Sequence, residues 1–231
     1  MTKIIGITLC KNEDLYIKKA IESTIDFCDE FIVLDNHSTD NTWSILNTLK
    51  DKYPKISLQR WDEPLLSSKP INKYVGEDCW VFGVDGDEIY DAAGLKLFKE
   101  DLLSGTYDEY FNIKGPSLHC CEPNPPLFKG YMDGTKSICK LYNFKVLKSW
   151  NQHERLHGQL PVFNKQIKKT TLSLGRDNWD SALFRCLHMC FVKRSSLDKT
   201  NSPRIAPCKY DHKNLKYKGR TKMVEVKADF Y

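Results

Sequence analysis

Apolar runs alternate with amphipathic segments through the first hundred residues. "KIIGITLC" (3–10), "EFIVLDN" (30–36), "ISLQRW" (56–61) and "CWVFGVD" (79–85) read as strands. Between them, "EDLYIKKAIESTIDFC" (13–28) places Leu15, Ile17, Ala20, Ile21 and Ile25 close to helical spacing, and "NTWSILNTLKDKY" (41–53) puts Trp43, Leu46, Leu49 and Tyr53 on one side of a second helix. Parallel neighbours need crossover connections, so this order predicts an α/β fold with a mostly parallel sheet flanked by helices. From about residue 105 the pattern changes to strands separated by loops: "EYFNIKG" (109–115), "SICKLYNF" (137–144), "KKTTLSL" (168–174) and "ALFRCLHMCFVKR" (182–194). The stretch "HCCEPNPPLFKGYMDG", with three prolines, is expected to be an irregular loop, either a flap over a site or a plain surface excursion.

A chain of 231 residues with 41% hydrophobic and 28% charged residues has the composition of an ordinary globular protein, not of a disordered one. No stretch approaches the roughly 20 apolar residues of a membrane span. The N-terminal apolar run of about seven residues is closed by Lys11 and Asn12 and is too short for a secretory signal, so the cytoplasm is the expected location. Nine cysteines without a C-x-x-C pair suggest reduced, buried thiols and argue against a disulfide framework or a zinc ribbon. The net charge of +5 is uneven: residues 193–231 carry eleven Lys and Arg against four Asp and Glu. That basic tail reads as a solvated terminus or as contact with an acidic partner, such as an anionic membrane surface reached through Lys209, Lys213 and Lys216. No interleaved basic and aromatic motif indicates nucleic acid.

In an open parallel sheet, ligands bind beyond the carboxyl ends of the strands. Three polar clusters fall there: Lys11-Asn12-Glu13, the run Asp35 to Asp40, and Asp85-Gly86-Asp87-Glu88. In an extended chain Asp85 and Asp87 face the same way, and Gly86 lets a ligand approach the backbone. Two converging carboxylates repel unless one is protonated or a cation lies between them, and Mg²⁺ or Mn²⁺ suits such ligands together with substrate phosphates. Asp35 points off its strand end, where it can accept hydrogen bonds from a base or ribose, while Ser38, Thr39 or Asp40 can cap the following helix. His188, in "LFRCLHMCFVK", shares a strand face with Phe184, Cys186 and Cys190; by pattern it is a core histidine. Its spacing with His119, Cys120 and Cys121 also raises a zinc reading.

The order "CKNED", "VLDNHSTDNT", "VFGVDGDE" resembles the family-2 glycosyltransferases of the GT-A fold. The resemblance implies inverting transfer of a sugar from a nucleotide-diphosphate sugar, UDP- or GDP-linked, to a hydroxyl of a glycan, glycolipid or protein-linked glycan acceptor, with Mn²⁺ or Mg²⁺ as cofactor. It implies a donor site made by Cys10, Asn12, Glu13, Asp35, Asn36, Asp85 and Gly86, and an ion held by Asp85, Asp87 and His188. Asn36 departs from relatives that carry a second acid there. "SWNQHERLHG" (149–158) resembles a segment of a bacterial subgroup that includes some lipopolysaccharide-core sugar transferases, which makes Glu154 the general base and His153 its neighbour. The expected organisation is one catalytic domain over 1–195, with a nucleotide-sugar half (1–104), an acceptor half (105–195), and a basic extension over 196–231. The rival readings are a non-catalytic glycan- or partner-binding module on the same fold and a sugar-nucleotide pyrophosphorylase, which is expected to open with a Gly-rich phosphate loop that "IIGITLCKNED" lacks.

Overall fold

The apolar runs of the first half are neighbours in one sheet. The computed structural model describes residues 2–132, 140–150, 161–164, 167, 169–175, 178–201, 210–211, 216–217 and 223–231. Strands β1 (Lys3–Cys10), β2 (Glu30–Asp35), β3 (Ile56–Arg60) and β4 (Cys79–Gly83) are mutually parallel in the spatial order β3-β2-β1-β4, joined through helices α1 (Ile17–Thr24) and α2 (Thr42–Lys52) and two short 3₁₀ turns. Strand β5 (Glu88–Tyr90) and helix α3 (Ala92–Leu103) follow, then β6 (Tyr110–Lys114), β7 (Ser117–Asn124), β8 (Leu127–Met132) and β9 (Lys140–Asn143). The remaining strands are the short pair β10 (Leu147–Ser149) and β11 (Val162–Phe163), β12 (Lys169–Ser173), β13 (Cys186–His188), the short pair β14 (Tyr210–Asp211) and β15 (Lys216–Tyr217), and β16 (Met223–Lys227). The large sheet has the order β12-β6-β9-β4-β1-β2-β3, with β9 antiparallel to both its neighbours, and a second sheet has the order β16-β8-β7-β13-β5.

Both faces of the large sheet are covered at its centre, which is why β1, β2 and β4 are nearly continuously apolar while the edge strand β3 is not. Ile4, Phe31, Val33, Trp80 and Phe82 face Ile17, Ile21, Leu46, Leu49 and Phe98 of the helices. Their alternates Ile5, Ile7, Ile32, Leu34 and Val81 pack under Phe144, Val146, Leu147 and Trp150. Each such large side chain, fully buried, contributes about 1.5–3 kcal/mol.

Several elements differ from the expected ones. Helix α1 is shorter than 13–28 at both ends, and ahead of it the Glu13 amide donates to Thr42 Oγ1 at 2.8 Å. Residues 119–132 of the stretch expected to be an irregular loop fall in the β7–β8 hairpin, with the three prolines at its exposed end. Gly130 permits this pairing, since a Cβ there would run into the His119 carbonyl oxygen. Strand β13 is three residues long, not thirteen: the Met189 amide donates to Asp87 O at 2.9 Å, and the chain then turns toward Arg194. Within the basic tail, β16 pairs antiparallel with β8 and so belongs to the second sheet.

Candidate active site

The three polar clusters lie together. Cys10 is in register with Asp35, and Ile7 with Gly83, so the ends of β1, β2 and β4 open on the same edge. The first two loops interlock there. Asn12 and His37 adopt left-handed backbone (φ 53° and 50°), uncommon for residues with a side chain and tolerated where surrounding contacts impose it. Those contacts are the Asn12 amide donating to Ser38 Oγ (2.9 Å) and the Thr39 amide donating to Asn12 Oδ1 (2.7 Å). Asp40 Oδ1 accepts the Thr42 amide at the start of α2 (2.9 Å), so the capping expected of this run falls to Asp40.

A cleft of ≈ 340 Å³ lies over this edge, within the range of small-ligand sites, lined among others by Cys10, Lys11, Glu13, Asn36, Asp85, Asp87, Lys140 and Arg194. Asp35, expected at the donor site, is fully buried and is not among the residues lining the cleft: Arg60 Nη1 and the Ser38 amide both donate to its Oδ2, and the Arg60 guanidinium lies 3.8 Å from the centre of the Trp43 ring. Asn36 Nδ2 donates to the Trp61 carbonyl (2.8 Å) and its Oδ1 accepts from Lys11 (3.4 Å). The Cys10 thiol is buried, and burial pushes its pKa well up, so it serves as a neutral wall of the cleft.

The acids after β4 do not continue as an extended strand. The Glu88 amide donates to Asp85 O (3.0 Å) and Glu88 Oε2 accepts the Asp85 amide (3.1 Å), so residues 85–88 form a tight turn. The turn sends Asp85 and Glu88 to one side and Asp87 to another, so the alternation expected for Asp85 and Asp87 does not hold. Asp85 and Glu88 both face the buried Lys140, at 2.5 Å and 3.8 Å from Nζ. Asp87 Oδ2 faces Arg194 Nη1 at 2.7 Å and His188 Nε2 at 3.5 Å, and Arg194 also reaches Glu13 Oε1 at 3.6 Å. Asp85, Glu88 and His188 each present a ligand atom within 4.8 Å of the others, a set in which Glu88 stands where Asp87 was expected.

Electrostatics follow from these pairings. Burial acts to raise the Asp87 carboxyl, but the charges of His188 and Arg194 outweigh it and hold the group well below the usual carboxylate range. Glu88 is raised, chiefly by burial and against the pull of Lys140. Burial lowers Lys140 and His188, yet both end above their ordinary values, Lys140 through Asp85 and Glu88, His188 through Cys190 and Asp87. Lys140 and Arg194 carry much of the site's charge balance and were not anticipated from sequence. Gly86 is hemmed in by all of this: a Cβ would sit 2.9 Å from Glu13 Cγ, 3.2 Å from Ile17 Cδ1 and 3.3 Å from Cys10 Cβ. Gly86→Ala is expected to cost about 1–3 kcal/mol by overpacking, read as a lower urea midpoint with an unchanged slope. Glu154 and His153, with Lys209 and Lys213, lie outside the described residues.

Residues 7–108 match the family model described as Glycosyl transferase family 2. An uncharacterized glycosyltransferase of Rickettsia typhi is 35% identical over 72% of this chain and 55% of its own length. The lipopolysaccharide core biosynthesis glycosyltransferase LpsC of Rhizobium meliloti is 32% identical over 42% of this chain and 36% of its own length. A mannosyltransferase from Pyrobaculum calidifontis, solved with GDP-Man and Mn²⁺, overlays with a TM-score of 0.45 at 14% identity, covering 80% of this chain and 56% of that one. The chain spans about half the length of the curated relatives it matches, 54% and 57% for two Rickettsia proteins. Among the described residues, no helix is long and apolar enough to cross a membrane.

Proposed function

We propose that this chain, whose residues 7–108 form a glycosyl transferase family 2 domain, moves a sugar from a nucleotide-diphosphate sugar to an acceptor hydroxyl with inversion. The observation that carries the reading is the convergence of the three strand-end clusters on one cleft beside the set Asp85, Glu88 and His188. In this reading Asp35 and Asn36 take the nucleoside, Asp35 held in place by Arg60 and Ser38. Lys11, Glu13 and Gly86 line the cleft, with Cys10 as its apolar wall, and Asn12 ties the first two loops together beside it.

The donors suit a hard divalent ion, Mn²⁺ or Mg²⁺: two carboxylates and an imidazole, with buried Glu88 Oε1 and His188 Nδ1 making no hydrogen bond of ordinary geometry. Asp87 stands behind His188 and orients it, as carboxylates do for ligating imidazoles. When bound, the ion would offset charge on the departing nucleoside diphosphate. Lys140 and Arg194 add fixed positive charge to the lining of the cleft, Lys140 held by Asp85 and Arg194 by the buried Asp87. Glu154 is the proposed base that takes the acceptor proton, with His153 beside it. The acceptor reading is a glycan or glycolipid, the latter approached at a membrane surface through the basic tail.

The reading is tested by incubating the purified protein with UDP-, GDP-, dTDP- and CMP-sugars and measuring release of the nucleotide. One donor is expected to turn over slowly with water as acceptor, and chelation by EDTA is expected to stop it. Failure with every donor, in folded protein supplied with Mn²⁺, favours the glycan- or partner-binding module.

A further inference from the structure

His188 faces a second group of ligands on its other side. Strands β7 and β13 run parallel with His119 directly opposite His188, and Cys190 follows two residues later. The two imidazole rings are 5.1 Å apart, and His119 Nδ1 is 3.3 Å from Cys190 Sγ. His119, His188 and Cys190 each present a ligand atom within 4.8 Å of the other two. All three are buried, at 4%, 8% and 9% exposure; Cys190 packs in one cluster with Tyr131 and Phe191, and the His119 ring lies beside that of Phe191.

We propose that His119, His188 and Cys190 form a binding site for a thiophilic divalent ion, Zn²⁺. The chemistry of the donors differs from that of Asp85 and Glu88: one thiol and two imidazoles prefer Zn²⁺ over Mg²⁺ or Mn²⁺. Spacing fits as well. Around a tetrahedral zinc with Zn–N of about 2.0–2.1 Å and Zn–S of about 2.3 Å, nitrogen and sulfur ligands lie roughly 3.5 Å apart, close to the observed 3.3 Å. His188 Nε2 faces the Asp87 carboxylate at 3.5 Å, the outer-sphere arrangement that orients a ligating imidazole, and its buried Nδ1 makes no hydrogen bond of ordinary geometry. Three protein ligands leave a fourth position for water or an exogenous group.

His188 belongs to both groups of ligands, so an ion on Cys190 draws it away from Asp85 and Glu88. That consequence rests on the transferase reading above: Zn²⁺ inhibits sugar transfer, and Cys190→Ser relieves the inhibition.

The site itself is tested without activity, by adding Co²⁺ and then Zn²⁺ to the metal-free full chain. The expected result is a thiolate-to-cobalt charge-transfer band at one equivalent, bleached by Zn²⁺. Cys190→Ser and His119→Gln, each checked for folding by near-ultraviolet circular dichroism, lose the band, and their Zn²⁺ affinity falls by more than about tenfold. Cys121→Ser, a neighbouring thiol, keeps it. Absence of the band in folded wild type at saturating Co²⁺, or a band that survives Cys190→Ser, overturns the site. The cobalt spectrum does not depend on any sugar donor, so failure here is distinguishable from failure of the transferase reading.

Discussion

Asp87→Asn is expected to lower sugar transfer by about 10- to 100-fold, the usual cost of losing the group that orients a metal-ligating imidazole. The same change is expected to remove about 3–5 kcal/mol of stability, because it leaves Arg194 and His188 buried with their shared counter-charge gone. The pH dependence separates this loss from a packing defect. The Asp87 pKa is depressed on folding, so its stabilisation is fully present above the unfolded value of about 3.9 and is lost as pH falls toward the lower folded value. His188 works in the other direction. Its pKa is raised on folding, so its share is present below about 6.5 and is lost only as pH rises through the higher folded value. Urea denaturation at a series of pH values is therefore expected to show the gap between wild type and Asp87→Asn at its widest between about pH 4 and 6.5 and closing below about pH 4. A gap of constant size down to pH 2 would contradict the ion-pair account.

Lys140→Met is the second large effect. The ammonium is buried and is held by Asp85 and Glu88, so its removal leaves two close carboxylates facing each other in a poorly solvated place. The expected loss is about 3–5 kcal/mol in metal-free protein. A divalent ion supplies the same charge to the same carboxylates, and an ion at a hundred times its dissociation constant restores about 2.7 kcal/mol. The thermal shift produced by Mn²⁺ is therefore expected to be larger in Lys140→Met than in wild type, where the lysine competes for Asp85 and Glu88. Equal shifts in the two proteins would place the ion away from these acids.

The central strands and their polar ends were readable because β1, β2 and β4 are covered on both faces, which leaves little room for polar residues until the strand ends at the cleft. Helix α3 carried its own signals, an Asp91 side chain that accepts the Gly94 amide at 3.0 Å and the spacing of Leu95, Phe98 and Leu102, but the acids just before it drew the reading toward a ligand site. The β7–β8 hairpin was hidden by prolines that sit at its exposed end, where no ladder hydrogen bond is required of them. The cations of the site were the least legible. Arg194 meets Asp87 across 107 positions and Arg60 meets Asp35 across 25, and no local pattern marks a basic residue whose partner is that distant. The turn at 85–88 was an open alternative for a related reason: D-G-D-E fits a turn as readily as an extended strand, and its place after a buried strand favours the latter until Glu88 is seen to accept the Asp85 amide.

The most direct test of the account is calorimetric titration of the protein with UDP, GDP, dTDP and CMP, with and without Mn²⁺, in wild type and in Asp87→Asn. One of the four nucleotides is expected to bind with a stoichiometry of one, Mn²⁺ to strengthen the binding, and Asp87→Asn to remove most of that strengthening. Binding that is indifferent to both the ion and Asp87, or no binding by folded wild-type protein to any of the four, would contradict it.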